Sequence, residues 1–169
     1  STLVEPWVSS RAKSVITGLL LGDGSISGHR RGAIEWSHKI EHVDYVRYVQ
    51  HLLGDLSGFG PLQRRTSGYG TVMVCARTRE LTDIARFVAP WERLCIPDNL
   101  EFDPLSLAIW YMDDGSLSHS EKQEDRANFA ICRYDEHNAK VIRDALVRYG
   151  FVNPVLYRSE NYWRIRLNK

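Results

Sequence analysis

The sequence predicts an α+β chain built as pseudo-twofold tandem αββαββ(α) repeats. Two antiparallel sheets form a long concave saddle, and a pair of motif helices meets at the interface between the halves. Two observations carry this. The run Thr17-Gly18-Leu19-Leu20-Leu21-Gly22-Asp23-Gly24 has an echo in Ala108-Ile109-Trp110-Tyr111-Met112-Asp113-Asp114-Gly115. Each is an apolar, helix-like run that stops at an acid followed by glycine. Two such runs at about half-chain spacing indicate a duplicated unit with one carboxylate per copy. The second observation is the order of periodicities after each run, where a strand-like alternation gives way to an amphipathic helix and then a second alternation.

Element by element, residues 1–10 have no clear period. Ser9 or Ser10 caps a helix starting near Arg11. Val15, Gly18, Leu19 and Gly22 recur at helical spacing. Gly18 and Gly22 each weaken that helix by up to about 1 kcal/mol relative to Ala, so close approach of a second helix near the small residue Ala108 is the expected reason for them. Ser25-Ile26-Ser27 and Ala33-Ile34-Glu35-Trp36-Ser37 alternate across a turn at Gly28–Gly32, which predicts a hairpin with Ile26, Ile34 and Trp36 on one face. Val43, Val46, Val49 and Leu53 predict an amphipathic helix reaching about Leu56, broken by Gly58-Phe59-Gly60-Pro61. Leu62 to Arg65 and Thr71 to Arg77 read as a second hairpin turned by Ser67-Gly68-Tyr69-Gly70. Thr78 is read as the cap of a closing helix through Val88, and 89–102 as the connector. Residues 1–102 thus make the first half and 103–169 the second.

In the second half Asp103-Pro104 is a helix start, with Asp as cap and Pro at the first helical position. Ser116-Leu117-Ser118 repeats Ser25-Ile26-Ser27. The stretch 118–126 reads as an extended loop, and Asn128 to Arg133 as a strand. Asp135 caps a helix carrying Val141, Ile142, Ala145, Leu146 and Tyr149. Gly150-Phe151-Val152-Asn153-Pro154 matches the earlier breaker and places Arg65 with Arg158 and Val74 with Ile165. A closing helix for this half is expected beyond Lys169 and is not present in the sequence.

The chain has 169 residues, 43% of them hydrophobic, enough for a real core. No apolar run approaches a membrane span, and the start of the sequence has no signal-peptide pattern. Cys75, Cys95 and Cys132 have no paired spacing and read as reduced thiols. The net charge of +1 does not announce a nucleic-acid binder, but the basic residues are unusual in kind. Of the 22, only Lys13, Lys39, Lys122, Lys140 and Lys169 are lysine. Arginine forks onto phosphates and guanine edges.

If the two motif helices lie side by side, Asp23 and Asp114 come together. Such carboxylates repel and call for a cation, and hard oxygen ligands suit Mg²⁺. The spans 16–24 and 103–115 together resemble the two motifs of the LAGLIDADG homing endonucleases, single-chain two-motif type. The resemblance runs from about Arg11 to Asn168. It implies a metal-dependent, site-specific endonuclease that hydrolyses both strands of DNA across the minor groove and leaves short 3′ overhangs. The metal ligands implied are Asp23 and Asp114, assisted by backbone carbonyls of Gly22 and Asp113. Mg²⁺ is the expected cofactor, with Ca²⁺ binding without supporting cleavage. A basic residue at the edge of the site falls on Arg93. His38 and Arg133, at matching strand ends, are expected to contact solvent or phosphate. Base readout is expected from outward strand positions, namely Ser25, Ser27, Glu35, Ser37, Gln63 and Arg65, with Arg31 near the turn. In the second half these are Ser116, Ser118, Asn128, Arg158, Arg164 and Arg166. The implied partner is duplex DNA of roughly 20 base pairs, about two helical turns, bound by a monomer away from any membrane, in an organelle or a prokaryotic cell. Two other readings use the same fold: an intron RNA maturase, and a DNA-binding regulator. The presence of both acids favours the enzyme.

Overall fold

The computed structural model describes residues 8–57, 61–121 and 123–168. They form two compact units divided between Ala89 and Pro90. The breaker at Gly58-Phe59-Gly60 and the closing residue Lys169 lie outside the described residues.

In the first unit, helix α1 (Ser10–Leu21) starts where Ser9 Oγ accepts the Ala12 N–H at 3.1 Å. This satisfies one of the amides that every helix start leaves unpaired. From Val15 to Leu21 the helix is buried all round. Strands β1 (Ser25–Ser27) and β2 (Ala33–Lys39) form the expected hairpin, with Ile26 opposite Ile34. Glu80 holds its turn: the Arg30 N–H donates to Glu80 Oε1, and Arg77 lies 3.8 Å from the same carboxylate. Helix α2 (Val43–Leu53) buries Val46, Val49 and Leu53 and ends short of the expected Leu56, in a 3-10 turn over Gly54–Leu56. Strands β3 (Gln63–Thr66) and β4 (Val72–Arg77) complete a sheet of order β1-β2-β4-β3. Ile34, Trp36 and Val74 on one sheet face pack with Val46, Val49 and Ile84 as the core.

The closing helix α3 runs only over Thr82–Val88, and Leu81 precedes it without a side-chain cap. Thr78 does not cap it. Its buried Oγ1 accepts the Ile34 N–H at 3.0 Å and donates to the Arg79 carbonyl at 2.9 Å. A buried hydroxyl placed between a strand amide and a carbonyl is satisfied there, so the helix begins further on.

In the second unit the segment before α4 (Pro104–Asp114) packs on the unit's own helix. Asn138 accepts the Ile96 N–H at 2.8 Å and donates to the Leu94 carbonyl at 3.1 Å. α4 opens with a full capping box: Asp103 accepts the Ser106 N–H at 2.8 Å, and Ser106 Oγ accepts the Asp103 N–H at 3.0 Å. Strands β5 (Gly115–Ser120) and β6 (Gln123–Ile131) form a long hairpin in which Ser118 opposes Arg126. Of the stretch expected as a loop, 118–120 and 123–126 are therefore paired strand, because backbone pairing needs no apolar side chain at a hairpin tip. Helix α5 (Glu136–Tyr149) starts at Asp135, which accepts the Asn138 N–H at 2.9 Å. Strands β7 (Val155–Ser159) and β8 (Tyr162–Leu167) give the order β5-β6-β8-β7, matching the first unit. Trp110 is fully buried between Phe102 and Phe129, with ring centroids 5.7 and 4.0 Å away. At about 25 cal/mol per Å² over the 150–250 Å² that such a ring buries, it contributes on the order of 5 kcal/mol of gross burial energy. No helix among the described residues is long and apolar enough to cross a membrane.

Candidate functional site

The two motif ends are built differently. α1 ends at Leu21. Gly22 closes it with an N–H directed at the Gly18 and Leu19 carbonyls, and Asp23 follows in the turn, exposed. α4 continues through Asp113 and Asp114, both half-buried, and Gly115 begins the strand with its N–H on the Tyr111 carbonyl. Both following glycines are required by space rather than by φ. A Cβ on Gly24 would stand 2.6 Å from Leu19 Cβ, and one on Gly115 would stand 2.5 Å from the Tyr111 carbonyl oxygen. Only glycine lets the chain turn this tightly against the last helical turn.

In the first unit the β2 register brings His38 to Asp23, with Nδ1 3.6 Å from Oδ2. His38 is 11% exposed and Asp23 39%. That is an ion-pair distance rather than a hydrogen bond. The His38 ring also meets Tyr45 edge-on at 5.0 Å. His38 shares the sheet face of Ile34 and Trp36, so the sequence expectation of a strand-end contact becomes a residue held beside the motif acid. Neither α1 nor α4 has a basic residue in its last turn. Acids at the negative end of a helix are unfavourable by about 0.3–1 kcal/mol unless a cation answers them. A solvent-accessible carboxylate offers the oxygen ligands that a divalent ion takes. Such an ion uses one or two carboxylates and takes its remaining oxygens from water and phosphate.

The polar face of the first sheet carries Ser25, Glu35, Ser37, Gln63 and Arg65, as their strand partners dictate. Three of them form a cluster. Arg65 donates to Glu35 at 2.8 Å and to Gln63 at 3.1 Å, beside a cavity of about 260 Å³ lined also by Gln50 and Arg77. Ser27 lies on the same face further along β1, and Arg31 sits in the hairpin turn with φ 54°.

The polar face of the second sheet carries Ser116, Ser118, Arg164 and Arg166. Two expectations change here. Arg158 pairs across from Trp163, on the face of Ile165, and lies over the Trp163 ring at 5.6 Å. With Val74 and Ile165 as counterparts, Arg64 stands across from Val74 and Leu156 across from Ile165. The partner of Arg65 is therefore Tyr157, and a one-residue slip turns Arg158 to the other face. Asn128 is buried and its amide is already used. It accepts from Tyr157 Oη at 3.1 Å and donates to Ser118 Oγ at 2.5 Å and the Arg126 carbonyl at 3.3 Å. Those bonds tie it to Ser118, Arg126 and Tyr157. Arg93 belongs to the second unit, exposed in a left-handed turn at φ 58°. Arg133 follows β6 beside Tyr134, whose hydroxyl burial pushes up to about 12.

Sequence reasoning missed Glu80, Tyr157 and Tyr162. The alternation Tyr162, Arg164, Arg166 is visible as a period-two face and is the signal for Tyr162. Tyr157 has no such signal, since its role depends on register.

Residues 13–169 match the LAGLIDADG DNA endonuclease family, and the chain belongs to it. The architecture is similar to that of the homing endonuclease I-WcaI bound to its DNA recognition sequence. Their TM-score is 0.75 and identity 18%, over 99% of this chain and 82% of that one. It is also similar to I-DmoI in complex with DNA and Ca, with TM-score 0.50 and identity 12%, over 92% and 82%. Among curated proteins it is similar to Protein RecA of Mycolicibacterium flavescens, 30% identical over 123 residues. That match takes in 68% of this chain and 28% of that protein, so the chain spans well under a third of this relative.

Proposed function

We propose that this chain is a homing endonuclease that recognises a duplex DNA target of roughly 20 base pairs, about two helical turns, as a monomer. It hydrolyses one phosphodiester on each strand across the minor groove and leaves short 3′ overhangs. The observation that carries the reading is Asp23 beside His38 at the end of a motif helix that lacks a basic last turn, on a unit whose sheet presents Ser, Gln and Arg. The family membership supports the same activity.

Asp23 in the first unit and Asp114 in the second would each offer a carboxylate to a divalent ion, with the Gly22 and Asp113 carbonyls as further oxygen donors. Mg²⁺ is the expected ion, and Ca²⁺ is expected to occupy the site without supporting cleavage. When bound, the ion supplies Lewis-acid polarisation of the scissile phosphate. The protein supplies the rest. His38 lies beside the Asp23 carboxylate, with Nδ1 3.6 Å from Oδ2. Arg93 offers its fork to a phosphate, and the sheet arginines hold the duplex in register.

The test begins with selection of cleaved sites from a randomised duplex library in Mg²⁺. On the selected target, Asp23→Asn and Asp114→Asn each lose double-strand cleavage by about a hundredfold or more, the scale of removing a preorganised charge-stabilising group, while binding persists. A variant that cuts both strands at the parent rate removes that carboxylate from the mechanism.

A further inference from the structure

The second sheet holds its two facing arginines by different means, and the difference separates their roles. The Arg164 guanidinium lies over the Tyr162 ring at 4.9 Å and donates Nη2 to the Tyr162 hydroxyl. One prong of its fork is therefore already used. The Arg166 guanidinium lies over the Tyr157 ring at 5.6 Å and makes no hydrogen bond among the described residues. Its Nε, like that of Arg164, is covered and has no partner among the described residues, which leaves the two Nη groups as its available donors. The ring beneath it is fixed in turn: Tyr157 Oη donates to Asn128 Oδ1, and Asn128 Nδ2 donates to Ser118 Oγ. Asn128, in the middle of this chain, is 5% exposed, which strengthens its bonds and holds the half-buried Tyr157 in place, while Ser118 at the far end is exposed.

We infer that Arg166 reads a guanine in the target and that Tyr157, locked by Asn128, is the positioning residue that sets the reading. An end-on pair of Nη donors matches the O6 and N7 acceptors of guanine in the major groove, a pattern no other base offers. A flat ring under the guanidinium favours one plane for the fork, and the tyrosine hydroxyl prevents the ring from swinging. Arg164, with one prong committed, is left to hold a phosphate, which any sequence supplies. The inference rests on the DNA endonuclease reading, and it deepens that reading by naming a base.

The experiment is selection from the same randomised duplex library with the parent chain, Tyr157→Phe and Arg166→Lys, followed by binding to the selected duplex and its single-base variants. Tyr157→Phe keeps the ring and loses only the hydroxyl; Arg166→Lys keeps the charge and loses the fork. The parent should fix a guanine at one position. Arg166→Lys should lose that preference by roughly 5- to 150-fold, the range of one bidentate pair. Tyr157→Phe should weaken it by about 3- to 10-fold at that same position, with preferences elsewhere and the salt dependence unchanged. A merely structural tyrosine would lower affinity for every duplex alike and move no single position. A selected target whose preferences are the same in Tyr157→Phe and in the parent overturns this inference alone. A parent chain that enriches no duplex overturns the DNA reading and this inference with it.

Discussion

Replacing Gly24 by alanine tests whether the turn that carries Asp23 is set by close approach. The added Cβ would stand 2.6 Å from Leu19 Cβ, 2.8 Å from Leu19 O and 2.9 Å from the Leu19 carbonyl carbon, against ordinary heavy-atom contact near about 3.5–4.0 Å. These are backbone and Cβ atoms, so no rotamer change relieves them. The Gly24 N–H also donates to the Leu19 carbonyl at 2.7 Å, and moving the chain away breaks that bond. Overpacking costs about 1–3 kcal/mol and a net hydrogen bond about 0.5–1.5 kcal/mol. Together they give about 2–4 kcal/mol, or roughly 4–16 °C in a chain of this size. Gly68→Ala is the control, because a Cβ there meets nothing within 4 Å and the residue is not in the left-handed region. It should stay within about 0.5 kcal/mol of the parent or gain slightly. Thermal unfolding followed by circular dichroism reads both. Below the melting range, Gly24→Ala should still cut more slowly, by about a hundredfold for a displacement of about 1 Å at the neighbouring Asp23. Melting of Gly24→Ala within a degree or so of Gly68→Ala would refute the close-approach argument.

Three further outcomes are expected. Asp103→Ala removes the capping box of α4 and should cost about 1 kcal/mol, within a range of about 0.5–2, read by denaturant midpoint; an unchanged midpoint would mean that packing alone sets the helix start. Asp135 is held below its ordinary 3.8, chiefly by the Asn138 backbone N–H, and a lowered folded pKa gives stability that is complete above 3.8 and disappears as pH falls through the lower folded value. The stability gap between the parent and Asp135→Ala should therefore be full at neutral pH and close in acid; a gap that widens in acid reverses the sign and the argument. Arg164→Gln should flatten the dependence of log affinity on log salt by about 0.9, one phosphate contact, whereas Glu35→Gln should steepen it by releasing Arg65; equal slopes in all three proteins would remove both residues from the contact with DNA.

Three helix starts were legible because capping is local, while that of α3 was not. Ser9, Asp103-Pro104 and Asp135 each act on an amide two or three residues ahead, and the sequence carries the whole interaction. The strand faces were legible only as far as one anchor residue reached. Trp36 fixed the parity of β2 correctly. In β7 the anchor was a comparison with Arg65 that was off by one, and a period of two turns such a slip into the opposite face. The hairpin over 118–126 was missed because its residues are polar and backbone pairing leaves no trace in hydropathy. The motif acids were legible as a repeated pattern. The placing of His38 beside Asp23 depends on how β2 runs past the end of α1, which no local signal encodes.

The repeat also shows where duplication stops being symmetry. Both units have the same strand order, and their motif ends share a glycine that a side chain would obstruct. Their sheet faces differ in kind. In the first, Arg65 is bonded to Glu35 at 2.8 Å and Arg77 lies 3.8 Å from Glu80. A carboxylate partner cancels much of the arginine's charge and competes with phosphate for its fork. In the second, Arg164 and Arg166 lie over tyrosine rings, which orient a guanidinium and leave its charge intact. In the proposed complex, a base or phosphate would have to displace Glu35 or Gln63 to take the Arg65 fork, whereas the rings under Arg164 and Arg166 offer no competing charge. Identical subunits would present identical faces and suit a palindrome. One chain with two unlike faces suits a target whose half-sites differ, which is the form of site that the proposed monomeric endonuclease requires.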